Sequence, residues 1–150
     1  MIKIIAVGKI KEKFFSDAIN EYLKRLSAYT KISIVQVMDE KDSDFSKVKE
    51  GENILKNIKD NEYVVTLEID GTKLSSDELA NFIEKRNLEG NSNVVFVIGG
   101  SLGLDEKVIK RADYHLSFSD MTFPHQLMRV ILLEQIYRAF KIIKGEPYHK

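Results

Sequence analysis

A chain of 150 residues, with 43% hydrophobic and 31% charged side chains, has the make-up of one soluble globular domain that buries roughly 70% of its unfolded surface. It contains no cysteine, which excludes a disulfide framework and thiol chemistry and suits a reducing cytosol. Lys+Arg and Asp+Glu balance at 23 each, so the chain lacks the overall charge of a nonspecific nucleic-acid binder, and its three histidines show no metal-ligand spacing.

The N-terminus enters Ile2-Lys3-Ile4-Ile5-Ala6-Val7 directly, with no basic leader and no long apolar stretch, so no signal peptide is expected. Those residues, β-branched and ended by Gly8, predict a first strand. Phe14, Ala18, Ile19, Tyr22 and Leu26 recur near helical spacing and predict a helix from Lys13 to about Tyr29. Ile32–Met38 alternates apolar and polar side chains, as a strand covered on one face does. A polar linker with Asp39, Glu40, Lys41 and Asp42 leads to a helix from about Ser46 to Lys59. Tyr63–Ile69 reads as the third strand, stopped by the turn dipeptide Asp70-Gly71. Ser75 with Glu78 three residues on has capping-box form and opens a helix with Leu79, Ala80, Phe82 and Ile83 on its apolar side, ended by Gly90. Val94–Ile98 is uniformly apolar, as expected at the centre of a parallel sheet covered on both faces. A short helix from Asp105 to about Arg111 and a strand over Tyr114–Phe118 follow. The repeated alternation predicts one three-layer α/β domain over residues 1–150 with a mainly parallel sheet.

Residues 124–144 form the last predicted helix, with Pro124 suited to its first turn. Arg129, Glu134, Arg138 and Lys141 interrupt its apolar surface and exclude a membrane span. A helix apolar nearly all round needs cover on two sides. The sheet supplies one, and a second copy of the chain is expected to supply the other, which predicts a homodimer.

Charge and motifs point to function. Residues 1–31 carry seven basic and three acidic side chains and residues 121–150 carry five and two, whereas residues 39–120 hold eighteen acidic against eleven basic. Convergent termini would make a basic patch fit for a phosphate backbone; separate ones would leave a scattered solvated surface. Gly99-Gly100-Ser101-Leu102-Gly103 has the wrong spacing for a dinucleotide fingerprint, and Gly8-Lys9 lacks the rest of a P-loop. A tight turn needing φ > 0 accounts for one glycine after the fourth strand; two at the carboxyl end of a central strand favour a ligand site. His125 reads either as a substrate or proton-transfer group or as a polar residue at a helix start. Tyr148-His149-Lys150 reads either as a frayed terminus or as a tail that stacks on a base and meets phosphate. His115, inside a strand, reads as structural. Asp70 and Glu68, near a strand end, could touch a ligand or form the turn.

Several motifs together resemble one family. They are V-x-L-x-I-x-G (Val65–Gly71), F-V-I-G-G (Phe96–Gly100), S-x-S-x-M-T-F-P-H (Ser117–His125), R-V-x-L-x-E-Q-x-Y-R-A (Arg129–Ala139) and the terminal P-Y-H-K. The pattern is similar to RlmH, the smallest of the SPOUT methyltransferases, and spans the chain from Ala6-Val7-Gly8-Lys9 to Lys150. The resemblance implies a C-terminal trefoil knot, which general rules of chain topology argue against because true knots are nearly absent. It implies S-adenosylmethionine as methyl donor, no metal, and a cytoplasmic homodimer that completes the active site. By position, the cofactor contacts would be Leu67, Gly99, Phe118, Ser119, Asp120, Met121, Thr122 and Phe123. The implied reaction is methylation of N3 of a pseudouridine in 23S rRNA of the assembled 70S ribosome. Arg129 or Arg138 would supply the electrostatic role, His125 or His149 the contact with the base, and Tyr148 would position the nucleotide. The rival expectations are a methyltransferase of the same fold acting on tRNA and a non-catalytic ribosome-associated dimer.

Overall fold

The computed structural model describes residues 1–40 and 45–150, so Lys41 and Asp42 of the predicted linker lie outside the described residues. Ten elements alternate along the chain: β1 (Ile2–Val7), α1 (Lys13–Leu26), β2 (Ile32–Val37), α2 (Ser46–Lys56), β3 (Tyr63–Lys73), α3 (Ser76–Leu88), β4 (Val94–Ile98), α4 (Glu106–Arg111), β5 (Tyr114–Ser117) and α5 (His125–Ile143). The strands form one sheet in the order β2-β1-β4-β3-β5, and every pairing is parallel. α1, α3 and α5 cover one face, where Ile4, Phe96, Val65 and Leu116 meet Leu132, Leu133 and Ile136. α2 and α4 cover the other, where Ile5, Val95, Val97 and Val64 meet Ile54 and Val108. The three-layer α/β expectation holds, and β4 is buried at all five positions because both faces are covered.

Local chemistry sets most boundaries. Ser75 accepts from the Glu78 N–H at 3.1 Å while Glu78 accepts from the Ser75 N–H at 2.8 Å, a complete capping box. Gly145, at φ 66°, ends α5. One boundary differs from expectation. β3 does not stop at Asp70-Gly71 but runs to Lys73, because its continuation finds a partner in β5. The dipeptide itself lies in an irregular stretch, and pairing with β5 resumes beyond it at Thr72.

α5 also differs in how it is covered. Within one chain it lies between α1 and α3 while it packs on the sheet, so its own neighbours take much of the surface assigned to a second copy. Leu127 and Ile131 stay half-buried on it. Among the described residues no helix is long and apolar enough to cross a membrane.

Candidate active site

The carboxyl ends of β3, β4 and β5 and the first turns of α5 enclose a cavity of about 330 Å3, within the usual range for small-ligand sites. Three local devices build its walls. The first is an arch in β3: Leu67 and Thr72 both pair with Leu116 of β5, so residues 68–71 leave the ladder, and Glu68 and Ile69 line the cavity. The returning chain passes so near β5 that a Cβ on Gly71 would lie 2.8 Å from the carbonyl oxygen of His115 and 2.8 Å from the carbonyl carbon of Leu116. Only glycine fits that crossing.

The second device is the double glycine after β4. The positive φ expected there belongs instead to Gly103, at 79°, whose N–H donates to the Gly100 carbonyl at 3.0 Å. Gly99 and Gly100 are needed for space. A Cβ on Gly99 would stand 3.0 Å from the Gly103 backbone, and one on Gly100 would stand 3.0 Å from Val7 Cγ1. The third device is the β5–α5 loop, braced by Ser117 Oγ donating to the Ser119 carbonyl at 3.2 Å and by the Met121 N–H donating to Ser119 Oγ at 3.0 Å.

Seven of the eight residues expected at a cofactor line this cavity: Leu67, Gly99, Phe118, Ser119, Met121, Thr122 and Phe123. Asp120 does not; its carboxylate, 81% exposed, pairs with Lys73 Nζ at 2.5 Å outside the wall. Ile98, Gly100 and His125 line it too. Asp70 is exposed and does not line it.

The five residues expected at the chemistry separate into two groups. At the start of α5, His125 reaches toward the end of β1, where a Cβ on Gly8 would be 3.6 Å from its Nε2. Arg129, 1% exposed, donates from Nη2 to the carbonyls of Val7 and Gly8 at 2.9 and 2.6 Å. Burial pushes its pKa down, although a guanidinium stays charged. Arg129 thus ties α5 to β1 and does not line the cavity.

Arg138 lies about 20 Å along α5 from His125, at 1.5 Å per residue. Its Nη2 donates to Glu134 Oε1 at 2.6 Å, its Nη1 is 3.1 Å from His149 Nδ1, and its guanidinium sits 4.8 Å from the Tyr148 ring centroid. Tyr148 packs edge-on against Tyr137 at 4.9 Å and donates to Glu134 Oε1 at 3.1 Å. Burial and the bond to Glu134 push its phenol up to about 12, so at neutral pH it holds its proton and donates. His149 Nε2 is 3.6 Å from Asp77 Oδ2. The basic ends of the chain do converge here, since Arg25 and Lys141 lie 5.7 and 5.5 Å from the Tyr137 ring. Glu21 and Glu146 already pair with them.

Glu68, read from the sequence as a ligand contact or a turn former, gains its geometry here, and Glu50 is a group that the sequence reading missed. Glu68 Oε2 accepts from Thr66 Oγ1 at 2.6 Å and meets His115 Nδ1 on the neighbouring strand. Glu50, 2% exposed, accepts the Glu40 N–H on Oε2 at 3.0 Å while Oε1 finds no partner among the described residues. Burial, with Asp39 adjacent, pushes its pKa up. Glu50 had no local signal: a lone glutamate in a helix pattern reads as solvated, and only the fold brings α2 to the loop after β2, as only the fold brings Glu68 on β3 to His115 on β5.

A parallel sheet with a ligand-sized cavity at its carboxyl edge, walled by the loop before the last helix, defines a class that comparison makes specific. Residues 1–149 match the family described as "Predicted SPOUT methyltransferase". The chain is 57% identical, over 157 aligned positions covering 99% of each chain, to a protein of Alkaliphilus oremlandii named ribosomal RNA large subunit methyltransferase H. It is 58% identical, with the same coverage, to a protein of that name from Clostridium botulinum (strain Kyoto / Type A2). The chain belongs to the SPOUT methyltransferases and, among them, to the RlmH family. Its fold is also similar to that of a solved "probable methylase family protein" from Haemophilus influenzae Rd KW20, with a TM-score of 0.57 and 15% identity, covering 99% of this chain and 70% of that one.

Proposed function

We propose that this single-domain chain is a cytoplasmic, S-adenosylmethionine-dependent rRNA methyltransferase that methylates N3 of a pseudouridine in 23S rRNA of the assembled 70S ribosome, as a homodimer. The observation that carries the reading is the convergence of Leu67, Gly99 and the Phe118–Phe123 loop on one cavity, in a chain whose relatives are named for large-subunit rRNA methylation. The residues suit the donor: Leu67, Ile98, Phe118 and Met128 supply apolar wall, and Ser119, Thr122 and the backbone at Gly99 and Gly100 supply polar groups beside it. When bound, the donor supplies an activated methyl group on a sulfonium, so the protein needs chiefly to align donor and acceptor.

The remaining work falls to this chain's own side chains. His125, in the cavity wall, stands where a base presented to the donor would arrive. Arg138, held charged beside Glu134, offsets the negative charge that develops as N3 loses its proton. Tyr148 keeps its proton and positions the nucleotide by its ring and hydroxyl. Arg129 positions His125 by locking the first turns of α5 to β1.

Because Arg138, Tyr148 and His149 stand far from their own cavity, the reading needs a second protomer whose tail reaches it. Exposed Met121, Ile69 and Leu102, at 74%, 50% and 53%, lie at or beside the cavity and suit such an interface, as do Leu127 and Ile131. The knot is part of the same proposal. Its support is that β5 lies outside β3 at the sheet edge while α5 returns between α1 and α3.

Tritium transfer from labelled S-adenosylmethionine, offered 70S ribosomes, split subunits, free 23S RNA and bulk tRNA, tests the reading. Label in 23S RNA from 70S particles, recovered as N3-methylpseudouridine after nuclease digestion, supports it. Label in tRNA, or none despite cofactor binding, moves the function to one of the rival classes.

A further inference from the structure

Among the described residues lining the cavity, Glu68 is the sole acid, and none is a lysine or arginine. Its side chain is 19% exposed in a wall made mostly of apolar side chains, glycine and small hydroxyl residues, with His125 at the start of α5. Placing a carboxylate in such a wall costs solvation, and folds keep that cost mainly where a ligand uses the charge. The carboxylate is also held still. Thr66, fully buried, donates to Oε2 at 2.6 Å, and His115 Nδ1 meets the same oxygen. Oε1 takes no hydrogen bond among the described residues, so one oxygen is anchored and one is left for a ligand.

We infer that Glu68 selects the methyl donor by charge, serving as counter-ion to the cationic sulfonium compound and discriminating against the neutral thioether left after transfer. The inference rests on the donor proposed above. On transfer, the sulfur–methyl bond breaks with its electron pair kept by sulfur, the methyl joins N3, and the N3 proton is released. The donor's sulfonium charge disappears, and with it the attraction to Glu68. The same carboxylate that draws the donor in thus lets the product go. Because it favours the charged ground state, Glu68 acts chiefly on KM and product inhibition rather than on kcat. It is a specificity-determining residue, not a catalytic one.

Calorimetric titration of the full-length protein at pH 8 with S-adenosylmethionine, sinefungin (an ammonium in place of the sulfonium) and S-adenosylhomocysteine separates charge from shape. Glu68→Gln is expected to weaken the two cationic ligands by about tenfold or more, the usual worth of a charge-assisted contact, and the neutral product by less than about twofold. Glu68→Asp, which keeps the charge, should retain the preference. Glu68→Met is a second neutral variant should the first fail to fold by circular dichroism. Equal weakening of all three ligands, or none, overturns the inference while leaving the donor reading intact. A wild-type chain that binds none of the three overturns both.

Discussion

The two ends of α5 are built from different materials. At its N-terminal end the structure is main chain and close packing. Gly71 passes 2.8 Å from β5, Gly99 and Gly100 seat against Gly103 and Val7, and Arg129 is spent on two carbonyls. At the C-terminal end the structure is side chains: Arg138, Glu134, Tyr148, His149, Lys141 and Glu146 hold one another through ion pairs and ring contacts on a partly exposed surface. Main-chain contacts cannot rearrange without unfolding, whereas exposed ion pairs are individually worth no more than about 1 kcal/mol and exchange partners readily. A fixed cavity for a small molecule belongs to the first kind of construction, and a surface that must meet a large polar partner belongs to the second.

Substitutions at each end should therefore break different properties. Arg138→Ala should cost the largest amount, about 100- to 1,000-fold in methyl transfer to ribosomes, with donor affinity by calorimetry changed less than about twofold. Loss of donor affinity in that variant would erase the distinction between the ends. Gly71→Ala should do the reverse, destabilising the chain by about 3 kcal/mol in urea titration and weakening donor binding, since the added methyl meets backbone and not a movable side chain. Arg129→Met should lower stability by about 2 kcal/mol, because two carbonyls at the end of β1 lose their donor.

The smallest effect concerns Glu50, which stands behind the rigid end: a Cβ on Gly100 would be 3.8 Å from its Oε1. Its folded pKa lies above the ordinary 4.5, so the folded state holds the proton more tightly than the unfolded chain. That contribution to stability is complete below pH 4.5 and is lost as pH rises through the folded value. Glu50→Gln should raise stability by about 1 kcal/mol at pH 8, and the gain should vanish as pH falls toward 4.5. A gain independent of pH would show that ionisation of Glu50 is not its cause.

What could be read without the fold was whatever residues decide among near neighbours. The β-branched runs, the helical spacing of Phe14 to Leu26, the Ser75 capping box and the apolar Val94–Ile98 depend on residues a few positions apart, and they placed the alternating elements correctly. The Phe118–Phe123 loop and Gly99 stood out by motif and by position after a central strand, and the structure gathers them around one cavity. Where a long-range partner competed with a local preference, the local reading failed. Asp70-Gly71 has turn chemistry and leaves the ladder, yet β5 takes the chain up again at Thr72 and the strand continues to Lys73. A turn with positive φ would account for one of Gly99 and Gly100, yet Gly103 adopts that φ, and what requires the pair is the nearness of Gly103 and Val7.

The sequence by itself determined the element types, the three-layer class and the family. Tertiary structure alone decided the strand order β2-β1-β4-β3-β5, the pairing of Glu68 with His115, the burial of Arg129 against Val7 and Gly8, and the distance between the two ends of α5. The physical reason is range. Backbone preference and hydrophobic period act within a turn or a strand, while these contacts join residues 47 to 122 positions apart, and their energy exists only once the sheet has brought them together.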